Sequence, residues 1–123
     1  MNINIGGTIG WKNVHEDVRK RWTVLDAAPK SPIQYDLNSR RNFPIDDNSV
    51  DNYYASHVLE HVDTFLLPFV FSEIHRTLKP FGRVRIVVPD IRVGIERYRN
   101  GHELRCSPYC TPDIALPRLH LEL

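Results

Sequence analysis

The sequence predicts an α/β domain built on a mostly parallel sheet of about five strands. Three observations carry this reading. Short β-rich runs alternate with stretches of helical apolar spacing, the order that places helices on the faces of a parallel sheet. A glycine turn, Gly6-Gly7 with Gly10, follows the first run. The ends of successive runs carry Gly6-Gly7, Asp26, Asp36, Ser56-His57 and Pro89-Asp90. In open parallel sheets, ligands bind at the carboxyl ends of the strands, near the point where strand order reverses.

NINI, residues 2 to 5, reads as a buried strand running into the turn. WKNVHEDVRKR, 11 to 21, is polar with Val14 and Val18 four apart, which suits a short helix. WTVLDA, 22 to 27, is β-rich and ends near an acid, and IQYDL, 33 to 37, is a shorter candidate of the same kind. Residues 38 to 49 read as loop. SVDNYYASH, 49 to 57, reads as a strand. From 58 to 79 the apolar residues have helical spacing, and Pro68 divides the stretch into a first turn after His57 and a main helix starting near Leu67. Lys79-Pro80-Phe81-Gly82 ends that helix. RVRIVVP, 83 to 89, is the clearest strand, and IRVGIERYR, 91 to 99, reads as a helix stopped by Asn100-Gly101. The tail, 102 to 123, holds three prolines and two cysteines without a strong period and reads as irregular, so the domain is placed at 1 to 101.

A chain of 123 residues suffices for one domain with a modest core. A net charge of +1 points to neither nucleic acid nor a membrane surface. Arg76, Lys79, Arg83, Arg85, Arg92, Arg97 and Arg99 are opposed in that stretch only by Asp90 and Glu96; a solvated face is the plainer reading, an attraction for anionic substrates the sharper one. No apolar run is long enough to span a bilayer, and the N-terminus has no signal-peptide pattern. Cys106 and Cys110 do not make a disulfide framework, so a cytoplasmic location is expected.

The glycines allow backbone N–H groups to approach a ligand closely. Gly6-Gly7-Thr8-Ile9-Gly10-Trp11 is not the G-x-G-x-x-G of dinucleotide sites, which argues against a nicotinamide oxidoreductase. Asp26, at the end of the second strand, can accept from both hydroxyls of a ribose; its plain alternative is a strand-ending or capping acid. Asp36 can accept from an adenine amine, or merely form an Asx turn into Asn38-Ser39. Taken with the glycine turn, in this chain order, the two acids favour an adenosyl ligand.

With these residues in place, the chain resembles the class I S-adenosylmethionine-dependent methyltransferases, in particular the small type 11-like predicted methyltransferases. The resemblance is carried by NIGGTIG (4 to 10), FPIDDNSVDNYYASHVLEHV (43 to 62) and EIHRTLKPFGRVRIVVPD (73 to 90), and covers roughly residues 2 to 100. It implies a three-layer Rossmann-like methyltransferase fold and S-adenosyl-L-methionine as cofactor. It also implies roles. Gly6, Gly7, Thr8 and Gly10 would line the methionine part of the cofactor, Asp26 would bind the ribose, and Asp36 and Leu37 would flank the adenine. Ser56 and His57 would face the transferable methyl group, with His61 one helical turn further on.

The chain departs from the family pattern in four places. Asn4 stands where the family carries an acid that helps hold the cofactor's amino group, Thr8 replaces the middle glycine of the turn, and Phe81 replaces the first glycine of K-P-G-G. WKNVH, 11 to 15, is an alternative second strand, in which case His15 takes the place of the ribose acid. The family's final antiparallel strands are not found in 102 to 123; an incomplete sheet would expose an edge that a second copy of the chain could cover.

Methyl transfer requires the protein mainly to orient the acceptor and exclude water. For a hydroxyl acceptor, His57 is the candidate base. A zinc site from His57, His61, Cys106 and Cys110 is a competing reading, but the resemblance explains the histidines better. The expected function is methyl transfer to an unidentified small molecule. The alternative is a degenerate methyltransferase-like domain that binds without turnover.

Overall fold

Five parallel strands form one sheet in the order β3-β2-β1-β4-β5. They are β1 (Asn2–Ile5), β2 (Trp22–Asp26), β3 (Ile33–Gln34), β4 (Val50–Ser56) and β5 (Leu78–Val87); helices α1 (Glu16–Arg19) and α2 (Leu67–Thr77) accompany them, and α3 (Ile91–Arg99) follows. The structure, a computed structural model, describes residues 1–7 and 15–100. It divides into two units, Met1–Pro89, which holds the whole sheet, and Asp90–Leu123, in which α3 is described. Cys106, Cys110 and the tail from 102 lie outside the described residues.

Side-chain alternation sets one face of the sheet against the core. Ile3 pairs with Thr23 and Tyr53, and Ile5 with Leu25 and Ala55. Ile3, Ile5, Leu25, Tyr53 and Ala55 are buried with Val70 and Ile74 of α2 and with Phe43 and Ile45 of the preceding loop. The other face takes Asn2, Trp22, Asn52 and Tyr54; there Asn52 Nδ2 donates to Asn2 Oδ1 at 2.8 Å and the Arg85 guanidinium lies over the Tyr54 ring. A parallel sheet is usually apolar on both faces; here, among the described residues, the buried apolar cluster lies on one of them.

Helix α2 starts where Pro68 predicts, because a first-turn proline gives up no intrahelical hydrogen bond. Two 3₁₀ turns, Leu59–His61 and Thr64–Leu66, replace the first predicted helical turn. Its buried Glu73 ties the 43–47 loop down. Glu73 Oε2 accepts from the Phe43 N–H at 2.7 Å, and Arg76 donates to both carboxylate oxygens, to the Phe43 and Ile45 carbonyls and to Asp47. The Arg76 guanidinium holds the Glu73 carboxyl below the usual carboxylate range, against the opposing cost of burial.

Two expectations are corrected. Only Ile33–Gln34 of IQYDL joins the sheet, because Tyr35 turns into the core and its hydroxyl donates to the Arg41 carbonyl. Strand β5 begins at Leu78 rather than Arg83: Val50 pairs with Leu78 and Asn52 with Arg83, so Lys79–Gly82 bulges out opposite Asp51 alone. At the tip, Phe81 is fully exposed at φ 66°. Of the helix expected over 11 to 21, Glu16–Arg19 is seen; residues 11–14 lie outside the described residues. The second strand is Trp22–Asp26, paired with β1 from Trp22 to Leu25, which puts Asp26 at its carboxyl end.

Candidate functional site

The chain runs β1, β2, β3 outward in one direction and returns to place β4 on the other side of β1. The switch point therefore lies between β1 and β4, the place where sheets of this kind take ligands.

Gly6 leaves β1 at φ 75° with its N–H still donating to the Leu25 carbonyl at 2.8 Å. A Cβ on Gly6 would stand 2.1 Å from Val58 Cγ2, so the turn is pressed against the segment following β4. Beneath it, buried Asn4 donates through Nδ2 to the Gly7 carbonyl at 2.7 Å and, more loosely, to that of Gly6. An aspartate at this position could not donate; the amide lets residue 4 support the turn from below. Thr8 and Gly10 lie outside the described residues.

Asp26 fastens β2 to the same turn. Its Oδ2 accepts from the Gly7 N–H at 2.5 Å and its Oδ1 from the Ala28 N–H at 2.8 Å. Each carboxylate oxygen has two lone pairs, so the carboxylate keeps capacity for two further donors. Asp36 caps an Asx turn, its Oδ1 accepting from the Asn38 N–H at 2.9 Å.

These groups meet around a cavity of about 150 Å³. Gly6, Asp26, Asp36, Leu37 and His61, all singled out from the sequence, line it. So do Leu25, Tyr35, Val58 and Val62, which sequence reasoning missed as site residues. Val58 and Val62 stand within the H-V-L-E-H-V stretch, flanking His61, and the apolar members of that motif were the available signal. Tyr35 packs edge-on against Phe43 with ring centroids 5.0 Å apart, so the Glu73–Arg76 ties on Phe43 also steady this wall. A wider cavity of about 550 Å³ shares Asn38, His61 and Val62 and adds Arg40, Glu60 and Asp63.

Ser56 and His57 are not on the wall of the smaller cavity. Ser56 is the last residue of β4, and the His57 N–H donates to the Val87 carbonyl at 2.9 Å, continuing the ladder with β5. His57 turns at φ 55° and its side chain is 60% exposed, with Nδ1 3.4 Å from Glu60 Oε1. Glu60 went unmarked in the sequence reading, although it is the acid of the same motif. Among the described residues, no group of three or more His, Cys, Asp or Glu side chains is placed to hold a metal ion.

An all-parallel sheet with a switch point between β1 and β4 is the α/β architecture in which ligands, where present, bind at the carboxyl ends of the strands. Comparison with known proteins narrows this: the family described as "Methyltransferase domain" matches residues 12–86. The chain belongs to this methyltransferase family. The match begins just after the glycine turn and takes in Asp26, Asp36, Leu37, Ser56, His57 and His61. No curated protein and no solved structure matches the chain. No helix among the described residues is long and apolar enough to cross a membrane.

Proposed function

We propose that the protein transfers a methyl group from S-adenosyl-L-methionine to a small-molecule acceptor. The observation that supports this most is the convergence of Gly6, Asp26, Asp36, Leu37 and His61, from four separate stretches of sequence, on one cavity at the switch point. The lining suits an adenosine. Leu37, Val58 and Val62 offer apolar surface to a base, the Asp36 carboxylate stands at its edge, and Asp26 retains the acceptor capacity a ribose diol requires. At about 150 Å³ the cavity is smaller than the ~300 Å³ at which small-molecule sites begin, so it would enclose part of such a cofactor rather than the whole.

When bound, the cofactor supplies an activated methyl group on a sulfonium centre. The chain's own work is positional. Asp26 and Asp36 fix the adenosine, the Gly6-Gly7 backbone follows its outer end, and Val58 and Val62 keep water from the base. His57, exposed beyond β4, takes the proton of a hydroxyl acceptor.

Isothermal titration with S-adenosylmethionine and S-adenosylhomocysteine tests the reading. Asp36→Ala is the informative variant, because among the described residues the hydrogen bond its side chain makes is that of the Asx turn. Loss of a hydrogen bond of ~1 kcal/mol predicts about fivefold weaker binding. Asp26→Asn, which loses a charge-assisted acceptor, weakens binding more than tenfold at ~1.5–3 kcal/mol. A folded chain that binds neither compound is instead a methyltransferase-like domain without cofactor function.

A further inference from the structure

We propose that Glu60 is a positioning residue for His57: it keeps the imidazole proton on Nδ1, so that Nε2 offers its lone pair to the acceptor. The inference rests on the methyltransferase reading given above. Three features of the short stretch His57 to Glu60 carry it.

The first is backbone conformation. His57 stands at φ 55°, in the left-handed region that residues with a side chain seldom occupy. Such strain persists only where the surroundings impose it, and it gathers at functional sites. Here the bend is imposed from both sides, by the His57 N–H bonded to the Val87 carbonyl and by the 3₁₀ turn Leu59–His61 that follows at once.

The second is the direction of the side chain. The bend turns the imidazole back over its own chain, so that Nδ1 stands 3.4 Å from Glu60 Oε1 three residues on. The third is the difference in exposure. The His57 side chain is 60% exposed and that of Glu60 only 24%. The Glu60 side chain is the less exposed of the two and the imidazole the more presented, so support runs from Glu60 to His57.

The tautomer follows from hydrogen-bond chemistry. A neutral imidazole has one donor and one acceptor nitrogen, and an ionised carboxylate accepts only. The nitrogen facing Glu60 is therefore the donor, which leaves Nε2 with the lone pair. A separation of 3.4 Å is longer than a formed N–H···O bond, and contacts of this kind in ligand-free sites tighten when the reacting complex assembles. In the reaction, the acceptor's O–H bond breaks and its proton forms a new N–H bond at Nε2. The oxygen's electron pair enters the bond to the methyl carbon, and the pair from the broken carbon–sulfur bond stays on sulfur. The imidazolium left behind faces the Glu60 carboxylate, an orienting and charge-matching role like that of the acid in a hydrolase triad.

The test reads the imidazole directly. Nitrogen-15 correlation spectra of the full chain, at about pH 8.5 and so well above the ordinary imidazole range, report which ring nitrogen carries the proton. His57→Gln identifies the signals. The Nδ1–H tautomer is expected in the wild type and in Glu60→Gln, whose side-chain carbonyl still accepts. In Glu60→Ala it is expected to give way to the Nε2–H form that free histidine prefers in water. A wild-type His57 with its proton on Nε2 would overturn the proposal, as would a tautomer unchanged in Glu60→Ala. Titration of the wild type with S-adenosylmethionine in parallel separates the two ideas: absence of binding removes the methyltransferase reading, while the tautomer still decides whether Glu60 orients His57.

Discussion

Replacing Gly6 by alanine adds one methyl group and is expected to cost about 1–5 kcal/mol, from overpacking (~1–3 kcal/mol) and left-handed backbone (~1–2 kcal/mol) less the stiffening of the unfolded chain (~0.4–1 kcal/mol). The steric part has a named partner, since the new Cβ would lie 2.1 Å from Val58 Cγ2. The backbone part comes from φ 75° and has none. The two parts separate in a double-mutant cycle with Val58→Ala. Removing the obstructing methyl should reduce the cost of Gly6→Ala to its backbone part, so the pair couples by ~1–3 kcal/mol. Urea denaturation followed by tryptophan fluorescence measures this; with a slope of ~2 kcal/mol/M, Gly6→Ala lowers the midpoint by about 0.5–2.5 M. Costs that simply add in the double variant would refute the reasoning, because the turn would then not be pressed against Val58.

Other expectations follow from the same geometry. Phe81→Gly should raise the melting temperature by about 2–5 °C, since relief of a left-handed side chain (~1–2 kcal/mol) exceeds glycine's entropic cost (~0.5–1 kcal/mol); a lower melting temperature would contradict the assignment of strain at φ 66°. Arg76→Met should cost about 3–5 kcal/mol by leaving buried Glu73 without its counter-charge, whereas Asp47→Ala, at the exposed end of the same network, should cost less than ~1 kcal/mol. Equal losses in denaturation experiments would mean that the network is not anchored at Glu73. Lys79 and the Met1 ammonium hold the Asp51 carboxyl down at about 2, from an ordinary 3.8. Its contribution is therefore complete above about pH 4 and lost as pH falls towards 2, so the stability difference between wild type and Asp51→Asn should close over that interval.

Much of the fold was legible because local chemistry and tertiary structure agree. Pro68 announced the start of α2, and β1, β2 and β4 could be read from their apolar, β-branched and aromatic residues. The bulge over Lys79–Gly82 was hidden because proline and glycine look like the end of one element rather than a loop inside the next. The end of β3 was hidden because Tyr35 has strand propensity but finds its partner, Phe43, in a loop. The Glu73 to Phe43 bond spans thirty residues of sequence and leaves no local trace. At the site, the acids at strand ends were readable from position alone. The support of Asn4 beneath the turn, the press of Val58 on Gly6 and the approach of Glu60 to His57 depend on side-chain direction, which no periodicity encodes.

The two carboxylates of the cavity differ in what else they hold together. Asp26 fastens the glycine turn to the end of β2 through the Gly7 and Ala28 N–H groups, whereas among the described residues Asp36 caps a local turn. A descendant of this chain that had abandoned its ligand would still be selected to keep Asp26, for the sake of its architecture. Retention of that residue among relatives is thus poor evidence of activity. On the proposed function, drift at position 36, where among the described residues a local turn is otherwise at stake, is the earlier sign that a lineage has given up binding.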